Sequence, residues 1–288
     1  MSLAVAPPPV APQPSRRLPA ALRGVFLGIP PTVLASFVVI VIVVGWALFP
    51  GLFTAHSPVL ADPAAMFEPP SAQHWFGTDY LGRDEFARVV YGAASSMGTA
   101  LVAVGIGLFA GGVIGLLAGF FGSWTDSVLG RLVDTLLAIP AFLLAVVVVS
   151  ALGFETINAA IATGVSSVAI FARLMRAEVM KVRHNVFVES SYLQGGSRRY
   201  VLLRHVLPNA YRSVLALAVL QVGNAIIVIA ALAFLGYGSP PPASDWGLLV
   251  SDGQSYQIAP WLVYCPAIVI VLTVLSINRI SRWLRKTN

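Results

Sequence analysis

The sequence predicts an all-α, polytopic membrane protein with six transmembrane helices, and three observations carry that prediction. Of 288 residues, 57% are hydrophobic and only 10% charged, with a mean hydropathy of +0.83, which is far too apolar for a soluble domain. Apolar runs fall at about 32–53, 95–120, 130–152, 158–177, 212–236 and 261–281, each near the ~20 residues that cross the hydrocarbon. Basic residues crowd into alternate connections between these runs.

Residues 1–30 are rich in Pro and Ala, carry Arg16 and Arg17 and show no period, so a disordered cytoplasmic tail is expected there. Residues 31–288 form the six-helix domain. Its first run is a permanent anchor, because it is long, no small-residue cleavage site follows it, and five more runs come later. Six helices put both termini on one side. Lys and Arg near spans are retained in the cytoplasm; with the termini and residues 189–208 inside, sixteen of eighteen basic residues are cytoplasmic and only Arg83 and Arg88 lie outside. The net charge of +6 is thus a topology signal that implies no nucleic-acid partner.

Between the first two runs, Gly77, Asp79 and Gly82 suggest a tight turn, after which Arg83 to Tyr91 has helical character and is expected to lie flat on the outer surface. The second run carries Gly107, Gly111, Gly115 and Gly119 at a spacing of four. Small residues in register form a stripe on which another helix approaches closely, so these four are assigned to helix packing. Pro140 interrupts the third run and Pro266 the sixth; each removes a backbone hydrogen bond and can bend its helix.

Polar residues inside spans are costly unless they meet a partner or a watery path. Gln221 and Asn224 share one face of the fifth run, and Asp134 lies with Arg131 near the inner end of the third. All three are candidates for a substrate path; interhelical hydrogen bonding for the amides and pairing of Asp134 with an arginine are the alternatives. Cys265 is the one cysteine, a packing residue that excludes an intramolecular disulfide.

The cytoplasmic loop over 178–211 is the chain's polar, basic insert. Within it, Glu189 to Pro208 reads as two short amphipathic helices separated by Gly195-Gly196 and stopped by Pro208. Ser197 caps the second, with Tyr200, Val201, Leu203 and Leu207 on one side and Arg198, Arg199 and Arg204 wet. Such a helix rests on lipid headgroups or fits a groove on a soluble partner.

The spacing of this loop resembles the signature of bacterial ABC-importer permeases: Glu-Ala-Ala, three residues, Gly, nine residues, Ile, one residue, Leu-Pro. Glu189, Gly195, Leu207 and Pro208 occupy matching positions; Ser190 and Ser191 replace the alanines and His205 the isoleucine. His74-Trp75-Phe76-Gly77-Thr78-Asp79-Tyr80-Leu81-Gly82-Arg83-Asp84 is similar to a segment of one branch, the second permease of dipeptide, oligopeptide and nickel importers, and Asp245-Trp246-Gly247 is also in family style. The resemblance covers the chain from about residue 30 to its end.

That resemblance implies a type I ABC importer permease fold in the bacterial inner membrane, with N and C termini cytoplasmic. It implies a coupling helix, with Glu189, Ser190, Ser191, Gly195, Leu207 and Pro208 as the residues that meet an ATPase. Partners would be a homologous second permease, one or two cytoplasmic ATP-binding subunits, an extracytoplasmic solute-binding protein and membrane lipid. The cargo would be short peptides, with nickel or another small solute as the alternative.

No phosphate-binding Gly-X4-Gly-Lys-Ser/Thr loop exists, and the two lysines, Lys181 and Lys286, follow no glycine-rich turn. This chain thus lacks that way of holding ATP; the resemblance implies ATP and Mg in partner subunits, with no cofactor and no catalytic residue in this chain. Zinc-protease, cysteine-cluster and serine-elbow motifs are absent. His56, His74, His184 and His205 are scattered over both sides of the membrane and suggest no metal site. A passive channel is the rival of another class; it needs a continuous polar stripe where the spans show isolated polar residues. An intramembrane enzyme needs paired catalytic groups at mid-depth, where only Asp134 comes near.

Overall fold

The computed structural model describes residues 30–238 and 242–287. The expected tail lies, but for Pro30, outside them. The helices are α1 (Pro31–Leu48), α2 (Glu85–Phe121), α3 (Ser123–Ala138), α4 (Ala141–Leu152), α5 (Thr156–Arg183), α6 (Val186–Leu193), α7 (Arg198–Tyr237), α8 (Trp246–Gln254) and α9 (Trp261–Thr287). Among the described residues there is no strand, only an isolated bridge between Thr78 and Asp84.

Both ends of the described chain meet at one end of the bundle. Arg279 near the end of α9 donates to Thr32 Oγ1 at the start of α1 (2.6 Å), and the Phe37 and Trp283 rings meet edge-on at 6.2 Å. This near end also holds the start of α7, which shares a cleft with Ser281 and Leu284. The far end holds the 49–84 connection and α8.

Among the described residues, five helices are each long and apolar enough to span a membrane, and the expected third span is the exception. It breaks into α3 and α4 at a 93° bend. Ile139 is extended (φ −90°, ψ 128°), the conformation a residue before proline prefers, and Pro140 then starts α4. The pair still returns the chain across the bundle. Gly107, Gly111, Gly115 and Gly119 of α2 meet, in order, Ser167, Val168, Ala172 and Arg176 of α5, so the two long helices run parallel. The intervening chain must return from near end to far end, and it does so alongside α5. Asp126 pairs with Arg176, Val133 packs on Ala169 and Ala172, and Ala145 and Val149 pack with Ala159 and Ala162. At 1.5 Å per residue, ~24 Å of α3 and ~18 Å of α4 at a right angle reach ~30 Å end to end, the thickness of the hydrocarbon.

Three other expectations are corrected. The segment 83–91 does not lie flat: α2 starts at Glu85, capped by Asp84, whose Oδ1 accepts from Ala87 N (2.6 Å), and Phe86, Ala87, Val89 and Val90 are buried. Pro208 does not stop a helix. The chain runs helical through Pro208 as far as Gly236, whose φ of +88° breaks the last turn: a π-turn over Leu202–Val206 precedes Leu207 and places Pro208 in a new first turn, where a missing N–H costs little. Pro266 does not interrupt α9 either; the Leu262 carbonyl it would leave unbonded lies against Gly253, where a Cβ would stand 2.7 Å from that oxygen.

The contact between α2 and α5 is made through the glycine stripe. A Cβ built at Gly107 would lie 1.9 Å from Ser167 Oγ, at Gly111 2.4 Å from Val168 O, at Gly115 2.3 Å from Ala172 O and at Gly119 2.8 Å from Arg176 O. Backbone therefore touches backbone along three turns.

Candidate functional site

At the near end, α6 and the start of α7 form an elbow. Helix α6 ends in a Schellman motif: Gly196 N donates to Ser191 O (2.9 Å) and Gly195 N to Tyr192 O (3.0 Å), with Gly195 at φ +84°. That backbone angle favours glycine. Ser191 supplies an accepting carbonyl and packs against Gly196, whose Cβ would meet Ser191 O at 2.7 Å. Ser190 and Ser191 line one cleft with Phe187, Tyr200 and His205. Ser197 Oγ accepts from Tyr200 N (3.3 Å), opening α7.

The buried face of the elbow differs from the expected one. Val188, Val201, Val206 and Ala210 are buried, Leu207 is half-buried, and Tyr200 and Leu203 are exposed. The π-turn explains the change, since it spaces inward positions by five between Val201 and Val206 before the ordinary four to Ala210. Leu193 is 89% and Val186 77% exposed. Glu189 is exposed, and among the described residues its carboxylate makes no hydrogen bond or ion pair. Pro208 lies exposed on α7.

Midway along the bundle, Gln221 and Asn224 line a lateral cleft of about 260 Å3 between α2, α4, α5 and α7. Asn224 Nδ2 donates to Gln221 Oε1 (2.8 Å). Thr163, Ser166 and Ser167 face the same cleft; both serine hydroxyls donate to carbonyls one turn back, and Thr163 Oγ1 is buried with no hydrogen-bond partner among the described residues. Asp134 is not part of this group. The bend at Pro140 leaves it on α3, exposed, in a separate cleft with Asp126, Arg173 and Arg176. The acid that pairs there is Asp126, with Arg176 Nη2 donating to Oδ2 (2.7 Å), and not Asp134.

Comparison with known proteins now decides the family. Residues 111–287 match the family described as binding-protein-dependent transport system inner membrane component. The dipeptide transport system permease protein DppC of Alkalihalophilus pseudofirmus is 39% identical over 88% of this chain and 82% of its own. The chain belongs to the binding-protein-dependent transport permeases. It is a multi-pass component of the inner membrane. The probable D,D-dipeptide transport permease DdpC of Escherichia coli is 34% identical over 86% of this chain and 84% of its own, and the glutathione transport permease GsiD of Pectobacterium atrosepticum 36% over 76% and 73%. Among solved structures, the MetNI methionine ABC transporter in inward-facing conformations matches with a TM-score of 0.54 at 16% identity, over 68% of this chain and 95% of that one. An amino acid ABC transporter matches at 0.56 and 14%, over 70% and 95%. These two establish the shared permease fold.

The far end of the permease carries a buried polar cluster. Buried Asp79 accepts from Leu81 N (2.8 Å), Arg83 N (2.9 Å), Arg83 Nε (2.7 Å) and Arg88 Nη1 (2.8 Å). Trp246 is fully buried and donates through Nε1 to Val89 O (2.9 Å), while Asp245 caps α8 and accepts from Ser96 Oγ (3.2 Å). Burial pushes the Asp245 carboxyl above its ordinary range. Hydropathy scores the charged members as solvent-facing; Asp79 is paired within its own segment, and the contacts of Asp245 and Trp246 with α2 join residues about 150 positions apart into one buried knot. His56 and His74 lie together at this end, their ring centroids 5.2 Å apart.

Proposed function

We propose that this permease forms half of a translocation path for short peptides, completed by a homologous second permease and driven by one or two ATP-binding subunits seated on the elbow. The elbow carries the reading. Leu193, Val186 and Tyr200 project from the near end on a backbone fixed by the Schellman turn, a preformed apolar knob suited to a groove on a soluble partner. ATP and Mg belong to that partner. Its closure on ATP would push the elbow and switch the permease pair from inward-open to outward-open, while an extracytoplasmic solute-binding protein delivers cargo at the far end. Dipeptide, D,D-dipeptide and glutathione, named for the relatives, are all short peptides, and that supports the cargo class. The test is ATP-dependent uptake by proteoliposomes holding both permeases, the ATPases and the binding protein. Uptake of labelled dipeptide supports the reading; uptake of nickel alone, or flux without ATP, overturns it.

The near end, with both termini, is assigned to the cytoplasm on the asymmetry of basic residues. With Cys265 replaced, single cysteines at Leu60 (74% exposed, far end) and Leu193 (89% exposed, near end) are probed by an impermeant thiol reagent on intact cells. Position 60 is expected to react and position 193 to stay protected; the reverse inverts the orientation.

Gln221 and Asn224 are assigned to the path wall, with Thr163, Ser166 and Ser167 completing it. Replacing both amides by leucine should depress dipeptide uptake about tenfold while assembly and basal ATP hydrolysis persist. Failure to assemble would instead assign the pair, hydrogen-bonded to each other within α7, to helix packing.

A further inference from the structure

We propose that His56, His74 and Asp84 form a binding site for one divalent transition-metal cation, of the zinc class, at the far end of the permease. Their ligand atoms all lie within 4.8 Å of one another. His74 Nδ1 is 2.8 Å from Asp84 Oδ2. The carboxylate is already fixed, because its other oxygen caps α2 through Ala87 N (2.6 Å), and it is not claimed by an arginine: Arg83 binds Asp79, and Arg88 binds Asp79, Glu85 and Asp252.

The loop presenting His74 is also held, by His74 N to Ser71 Oγ (3.1 Å) and Ser71 N to His74 O (2.8 Å). His56 is the adjustable member. It is exposed on the connection after α1, with its own N–H on Thr54 Oγ1 (3.1 Å), so a cation arriving from solvent meets it first.

Two imidazoles and a carboxylate are the donor set of zinc, nickel and cobalt, while magnesium and calcium want oxygen throughout. Tetrahedral coordination at 2.0–2.1 Å sets ligand atoms ~3.3 Å apart. The His74–Asp84 edge needs to open by about half an ångström, and rotation of the exposed His56 side chain closes the rest. The cation enters between Nδ1 and Oδ2 and leaves the ring proton of His74 on Nε2; solvent takes the fourth position. The consequence is a cross-link from the connection after α1 to Asp84, the N-cap of α2, drawn through His74, whose ring lies tilted against that of His56 at 5.2 Å.

The full chain, purified in detergent without a polyhistidine tag, tests this with Zn2+ by equilibrium dialysis and with Co2+ by visible absorption. One saturable Zn2+ per chain is expected, with cobalt d–d bands but no thiolate charge-transfer band, which would point to Cys265. His56→Ala should weaken binding by at least ~tenfold, the scale of a lost partner in a metal site, and leave the metal-free unfolding temperature unchanged. Zn2+ should raise that temperature in the native chain and not in the variant. Absence of saturable binding, or His56→Ala and His74→Ala binding as tightly as the native chain, would overturn the site.

Discussion

Gly115→Val is expected to eliminate folded permease. A Cβ there stands 2.3 Å from the carbonyl oxygen of Ala172 and 2.8 Å from Met175 Cβ. Neither neighbour is a flexible side-chain end that can swing away, since one is helix backbone and the other sits on the first bond of its side chain. The helices α2 and α5 must therefore separate. In lipid no hydrophobic force holds a separated pair, because acyl chains satisfy the exposed apolar surface equally well; close packing is what associates the helices. Overpacking a core costs ~1–3 kcal/mol even where side chains can adjust, and a collision with backbone exceeds that, against a total stability of only ~5–15 kcal/mol. Gly111→Val, 2.4 Å from Val168 O, should behave alike. Gly105 supplies the control: it is exposed on the same helix with nothing within 4 Å of its Cβ position. The readout is the monodisperse fraction and unfolding temperature of the detergent-solubilised chain. Recovery of Gly115→Val at the level of Gly105→Val would show that α2 and α5 are not packed through this stripe.

Hydropathy made the helical runs legible because a bilayer selects for apolar length, and five of the six survive as single helices. What it could not reveal is which proline bends the chain. Pro140, Pro208 and Pro266 are alike in sequence, but the first follows an extended residue, the second follows a π-turn, and the third has its orphaned carbonyl against Gly253. Each outcome depends on a neighbour in space. The same holds for charge: Asp126 and Asp134 sit on one helix, and only the packing of α3 on α5 decides that Asp126 meets Arg176. Thr163, Ser166 and Ser167 gave no signal because small hydroxyl residues are ordinary in membrane helices, where they bond to carbonyls of their own turn. No spacing rule links His56 and His74, which only the fold of a long connection brings together.

Glu189→Lys and Gly195→Val are expected to abolish ATP-driven uptake from opposite causes. Glu189 is the sole acid between His184 and His205, among the basic Arg198, Arg199 and Arg204, and its exposed carboxylate makes no bond within the chain among the described residues. Its charge is therefore free for a basic group across an interface, and reversal replaces attraction with repulsion, a change worth several kcal/mol when the contact is dry. A side chain at Gly195 would enter open space, since beyond its chain neighbours no atom lies within 4 Å of its Cβ position. A valine there meets no clash, yet its φ of +84° costs a β-branched residue ~1–3 kcal/mol, about 5- to 140-fold in the population of the bent elbow. Relief of that strain unmakes both hydrogen bonds of the turn and swings α6, with Leu193, away from α7. Gly195→Asn separates the backbone angle from all else, because asparagine enters the left-handed region readily and should keep most of the activity. The measurement is stimulation of ATP hydrolysis by loaded binding protein in the reconstituted complex, beside uptake. All three variants should reach the membrane at native levels and leave cargo binding by the external protein unchanged. Normal stimulation and uptake in Glu189→Lys and Gly195→Val together would reduce the elbow to a cover on the membrane surface.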